Sequence, residues 1–185
     1  MCASATKTRP DFVPWDIEVA RINFKANCGP SSFAAITKNQ VCRVMQYFPH
    51  FINHQSTNLT EMACALRTAG YQTEVTKRVF PRHGVALIQF LGPWTDRHFF
   101  SRWSLIHTHW VAIDGEWVFD HTEGNWMALD DWAYDVAPAF IAETSRATGW
   151  AVKFGIEVSQ SNSRCLDPSA ETWSSSLMPY ANFSG

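Results

Sequence analysis

Cys28, His109 and Asp120 are the residues of this chain whose types and spacing could do covalent chemistry together. Cys28 stands in the run Asn27-Cys28-Gly29-Pro30-Ser31-Ser32. That run reads as a helix start, with Pro30 in the first turn, where a missing N–H costs little. A free thiol ionises at about pH 8.5, and a helix N-terminus or a neighbouring imidazolium brings that down to roughly 3.5–7.5. Gly29 leaves room for a substrate backbone, and the Cys28 N–H can point at a developing oxyanion. His109 opens the run His109-Trp110-Val111-Ala112-Ile113, followed by Asp114-Gly115 and then Glu116-Trp117-Val118-Phe119-Asp120. Asp-Gly favours a two-residue type I′ hairpin turn. Folded there, Ile113 faces Glu116, and counting outward His109 falls opposite Asp120. Opposed residues have Cβ atoms about 4.5–5.5 Å apart. The carboxylate can then hold one imidazole nitrogen and leave the other facing a thiol. A nucleophile, a base and a group that orients the base are the outline of a cysteine hydrolase.

These side chains need elements to position them. The periodicity predicts a helix from Cys28 to Phe48, ended by Pro49. Phe33, Ala34, Ile36, Val41, Val44, Met45 and Phe48 fall within about half its circumference. Cys28 lies off the centre of that apolar arc. A second helix is expected over Asn58–Ala69, opened by an Asn58/Glu61 capping box and closed by Gly70. Tyr71–Val79 reads as a strand, with a turn at Pro81–Gly84. Val85–Leu91 reads as a buried strand, and Gly92-Pro93 breaks it. Residues 94–103 form an aromatic loop with Trp94, Phe99, Phe100 and Trp103. The hairpin covers 104–120, a short helix Leu129–Val136 resumes after Pro138, and Trp150–Val158 is a last strand. Residues 1–25 read as an irregular lead-in, from which Phe12, Val13, Trp15 and Ile17 can pack on the domain. The expected fold class is therefore α+β, a helical layer packed on an antiparallel sheet with a cleft between them. One domain spans 1–159, and 160–185 is a Ser-rich tail.

Other residues compete for roles. An oxyanion hole usually needs a second donor, and Asn23, upstream of Cys28, is the best candidate; Asn27 is better placed to cap the helix. His107 shares a face with His109, so His107, His109 and Asp120 could instead hold a metal. His121 would be a poor fourth ligand, because strand alternation turns it away from Asp120. A metal leaves the Cys28 motif unexplained, so neither metal nor cofactor is expected. Cys42 and Cys64 lie in helical patterns and read as buried small hydrophobes. His50, His54, His83 and His98 read as surface or loop residues.

Bulk properties narrow the partners. The 185 residues suit one substantial core. Net charge is −2 and the pI about 6.4, with no basic stripe. Nucleic acid is therefore an unexpected partner. No apolar run reaches the roughly 18 residues that span a bilayer, and Met1–Pro10 carries no apolar signal-peptide core. The five cysteines have no CxxC spacing. That excludes a zinc ribbon or a disulfide framework as the simple reading and leaves a reducing cytoplasm.

At Asn27-Cys28-Gly29-Pro30-Ser31, and at His109-Trp110-Val111-Ala112-Ile113 with Gly115 and Phe119-Asp120, the chain resembles the papain-like cysteine peptidases. Within them it is most similar to the bacteriocin-processing (double-glycine) peptidase branch. The helix ending in Ala69-Gly70-Tyr71 shares the likeness, which spans roughly residues 20–125. The resemblance implies Cys28 as nucleophile, His109 as general base and acid, and Asp120 as orienter. Where that branch carries an oxyanion Gln six positions before the Cys, this chain has Ile22, with Asn23 one step later. Where the branch has Pro after the Asp, this chain has His121. The implied substrate is a protein or peptide. Transglutaminases, arylamine acyltransferases and deamidases use the same logic with other acceptors, and a non-catalytic papain-like binder is the remaining class.

Overall fold

β2 (His83–Leu91) is the apolar run that the sequence singles out, and every residue from Gly84 to Phe90 is buried. A strand buried on both faces needs a layer on each side, and the computed structural model, which describes residues 8–25, 27–95 and 107–160, supplies two. The fold is α+β. Its six-stranded sheet has the order β1-β6-β2-β3-β4-β5, where β1 is Tyr71–Lys77, β3 Thr108–Asp114, β4 Trp117–Asp120, β5 Asn125–Ala128 and β6 Gly149–Gln160. All paired strands run antiparallel.

One face of the sheet carries Val85, Leu87, Trp110, Ala112, Phe119 and Ile156 against the N-terminal helices. These are α1 (Ile17–Phe24), α2 (Cys28–Thr37), α3 (Val41–Val44), α4 (Phe51–His54) and α5 (Leu59–Thr68). The other face carries Ala86, Ile88, Val111, Ile113, Val118 and Val152 against Trp132 and Ala137. Those two come from a second, smaller layer: α6 (Leu129–Asp131), a π turn over Trp132–Val136, and α7 (Ala137–Glu143). The sequence predicted one helical layer, and the sheet has two. β5 was not anticipated either. Gly84, expected in a turn, lies in β2, where an added Cβ would stand 1.9 Å from the Ile156 carbonyl oxygen. Its bare α-carbon lets β6 approach.

The expected helix over Cys28–Phe48 is broken. Lys38 takes φ +55°, and the Asn39 N–H bonds to the Ala34 carbonyl at 2.9 Å, closing α2 in a Schellman motif with lysine where glycine is usual. A separate helix, α3, then starts, and its cap comes from far upstream. The Asp16 carboxylate, 1% exposed, accepts the Val41 and Cys42 N–H groups, each at 2.8 Å. The apolar stripe survives the break: Phe33, Ala34, Ile36, Val41, Val44 and Phe48 are all buried. Replacing Asp16 with alanine would strand the buried Val41 N–H and the partly buried Cys42 N–H, so urea denaturation should show a loss of about 1–3 kcal/mol.

The lead-in is not irregular throughout, because Ile17–Phe24 is helical and buries Ile17 and Ala20. Trp15, expected to pack, is 76% exposed. Cys42 and Cys64 are exposed rather than buried; on α5 the buried positions are Met62, Ala63, Ala65 and Leu66, and Cys64 points off that stripe. The Asn58/Glu61 capping box forms in full, and Gly70 follows at φ +90°. The aromatic loop from 96 onward, the tail from 161, Cys2, Cys165 and His98 lie outside the described residues. Among the described residues no helix is long and apolar enough to cross a membrane.

Candidate active site

The β3–β4 hairpin closes one residue later than its Asp-Gly signal suggests, which shifts the pairing by two. Ala112 pairs with Phe119, Ile113 with Val118 and Asp114 with Trp117, so Gly115-Glu116 is the loop. Gly115 alone of the two has positive φ, the pattern of a type II′ turn and not type I′. Asp114 is kept in the strand by its partners: its Oδ1 lies 3.0 Å from His83 Nδ1, and the Gly115 N–H reaches the Arg82 carbonyl at 2.7 Å. Continuing this register sets Asp120 across from Val111, so His109 is its diagonal neighbour and not its opposite. A slip of two residues leaves every side chain on its own face. The pair therefore still meets, His109 Nε2 to Asp120 Oδ2 at 2.9 Å, with His109 6% and Asp120 0% exposed.

Asp120 is held from several directions. Trp132 Nε1 donates to Oδ2 at 2.8 Å, and the Thr122 N–H donates to Oδ1 at 2.9 Å. His121 Nδ1 stands 3.6 Å from Oδ1. Burial alone would raise this carboxyl; the contacts with His109 and His121, the imidazolium charge and the Thr122 N–H outweigh it and hold the group well below the usual carboxylate range. His121 was expected on the opposite face. β4 ends at Asp120, where the Gly124 N–H closes a turn on the Asp120 carbonyl at 2.9 Å. Strand alternation stops there, and the His121 ring comes to 5.3 Å from that of His109.

Cys28 opens α2, as the sequence predicts, and the local chemistry is that of an Asn cap. Asn27 Oδ1 accepts the Gly29 N–H at 3.4 Å and the Cys28 thiol at 3.8 Å, while its Nδ2 donates to the Gln55 carbonyl at 2.8 Å. Gly29 packs on Thr57, where an added Cβ would meet Oγ1 at 2.4 Å. Trp110 Nε1 donates to the Thr57 carbonyl at 2.8 Å, tying that strap to β3. The half-buried Cys28 thiol lies near enough to the His109 side chain to influence its protonation. Asp120 occupies Nε2, so Nδ1 is the nitrogen left for sulfur. Burial would lower the His109 pKa; the hydrogen bond to Asp120, the adjacent Cys28 side chain and the Asp120 charge overcome it and push it up to about 10 from 6.5. Phe140 covers the imidazole, ring centroids 4.9 Å apart.

The remaining candidates disperse. Asn23 is exposed near the end of α1 and, among the described residues, hydrogen-bonds to none of Cys28, His109 and Asp120. His107 is exposed with φ +62° and packs against Trp94, the ring centroids 4.3 Å apart and the planes tilted by 43°; it is not in the group that Asp120 forms. The metal-capable group is instead His109, Asp120 and His121, whose ligand atoms all lie within 4.8 Å of one another. Trp132 and Phe140 were missed at the sequence level. Both come from the second helical layer, and no spacing rule ties an indole twelve residues downstream to a carboxylate.

No family model matches this chain, and no curated protein does. Among solved structures it is similar to the crystal structure of the peptidase domain of Streptococcus ComA, a bi-functional ABC transporter involved in a quorum sensing pathway. The identity is 15%, the TM-score 0.38, and the match covers 74% of this chain and 93% of that one.

Proposed function

We propose that this chain is a papain-like cysteine hydrolase that opens an amide bond of a protein or peptide through a thioester on Cys28. The observation that carries the reading is the buried His109–Asp120 hydrogen bond with the Cys28 thiol, at the start of α2, beside the imidazole. The proposed reaction begins as the Cys28 thiol proton passes to His109 Nδ1, which leaves a thiolate beside an imidazolium whose Nε2–H stays on Asp120. Sγ attacks the carbonyl carbon, and the Nδ1 proton passes to the leaving amine as the C–N bond breaks. Water then attacks the thioester, giving a proton to Nδ1, and the carboxylic acid departs as the C–S bond breaks. Cys28 is the first residue of α2, so its N–H has no intrahelical partner and is free to bind the oxyanion. Asp120 fixes the ring and its tautomer throughout.

The test is a competition among thiols in the native chain. Cys64 is exposed and Cys28 half-buried, so simple access favours Cys64. Limited iodoacetamide labelling at neutral pH, mapped by mass spectrometry, should nevertheless modify Cys28 first. His109→Ala should remove that lead. Labelling of Cys28 that trails Cys64 in the unaltered chain would sink the proposal.

A further inference from the structure

We propose that His109, Asp120 and His121 form a binding site for a transition-metal dication of the Zn2+ class, as an alternative to the His109–Asp120 hydrogen bond. Occupancy of these residues requires neither Cys28 nor any catalytic activity. Two imidazoles and a carboxylate suit such ions and not Mg2+ or Ca2+. His121 Nδ1 is the telling atom. It is buried and makes no hydrogen bond, and its one opposite charge, Asp120 Oδ1, stands 3.6 Å away. A buried nitrogen held only by so long an ion pair is under-satisfied, and a metal between the two would satisfy both.

The distances fit with little movement. Nitrogen and oxygen ligands sit about 2.0–2.2 Å from zinc, so two of them on one ion are at most roughly 4.3 Å apart. The three ligand atoms here lie within 4.8 Å of one another. Rotation of the His121 ring, in the turn beyond β4, closes the difference. Trp132 Nε1 and the Thr122 N–H already orient the carboxylate from outside, at 2.8 and 2.9 Å, as ligating carboxylates require. The His121 side chain is 19% exposed, which gives the ion a solvent edge and room for water as a fourth ligand. On binding, the Nε2 proton of His109 leaves to solvent and the metal takes its place. A ring with metal on Nε2 cannot cycle between imidazolium and imidazole. Metal loading and the proposed hydrolysis therefore exclude one another.

The experiment uses the full chain carrying Cys28→Ser, so that the active-site thiol cannot serve as a ligand. Co2+ is titrated and its visible absorption followed; Zn2+ is then measured by calorimetry and by displacement of Co2+. The expected result is one ion per chain, with at least tenfold weaker binding in both His121→Phe and His121→Gln. Long-range proton–nitrogen spectra should move His109 Nε2 and His121 Nδ1 together. Circular dichroism establishes that each variant is folded. No binding, or equal affinity in folded His121 variants, overturns the site. Rapid Cys28 alkylation in the unaltered chain without Co2+ binding in the Cys28→Ser chain overturns the metal site and leaves the hydrolase standing. Co2+ binding with a sluggish Cys28 does the reverse.

Discussion

Cys28→Ala will abolish acylation by p-nitrophenyl acetate, and His109→Ala will slow it by roughly 10²–10⁴-fold, the span that a positioned general acid–base contributes. An activated ester needs no specificity pocket, so it tests the thiol and its base before the natural substrate is known. The acyl group is located by peptide mapping, which separates Cys28 from the exposed Cys42 and Cys64. The large factor is expected because His109 is 6% exposed, oriented by its hydrogen bond to Asp120, and adjacent to Cys28. Acylation of Cys28 at an unchanged rate in His109→Ala would mean that the imidazole is a structural partner of the thiol and nothing more.

Asp120→Ala will destabilise the fold by about 3–5 kcal/mol, the range for removing one member of a buried ion pair. It leaves an imidazolium, the Trp132 indole N–H and the Thr122 N–H without their acceptor. Asp120→Asn keeps the shape but loses the charge, and should lie between. The effect has a pH signature. His109 has its pKa raised on folding, so its contribution is full below 6.5 and is lost as pH rises towards about 10. Asp120 has its pKa lowered, so its contribution is full above 3.8 and is lost as pH falls below that value. These describe one interaction seen from its two ends. The stability gap between the unaltered chain and Asp120→Asn should be widest between pH 3.8 and 6.5 and shrink on the alkaline side. Urea denaturation at mildly acidic, neutral and alkaline pH measures it. A gap that does not change with pH would show that the pair is not an ion pair.

Several parts of this arrangement were open to a reader of residues alone, and each is local or periodic. The Asn58/Glu61 capping box and the Gly70 stop need only neighbours along the chain. The opening of α2 at Cys28 needs only Asn27 and Pro30. The meeting of His109 and Asp120 is instructive, since the predicted register was off by two residues and the pair still formed. A strand repeats every two residues, so the error preserved the face while changing the opposite neighbour. The apolar stripe from Phe33 to Phe48 behaved alike: its burial was legible, while its interruption at Lys38 was not.

Contacts between segments with no periodic relation come only with packing. The Asp16 carboxylate starts α3 across 25 positions of sequence. The Trp132 indole reaches Asp120 because α6 and the π turn fold back over the second face of the sheet. His121 turns towards the carboxylate because β4 ends one residue before it. Which residues open the helix and which share a strand face is legible along the chain, because both follow from backbone geometry repeated over a few residues. The surroundings that set the charge of His109 and Asp120 depend on which distant groups exclude water from them, and only the packed chain specifies that.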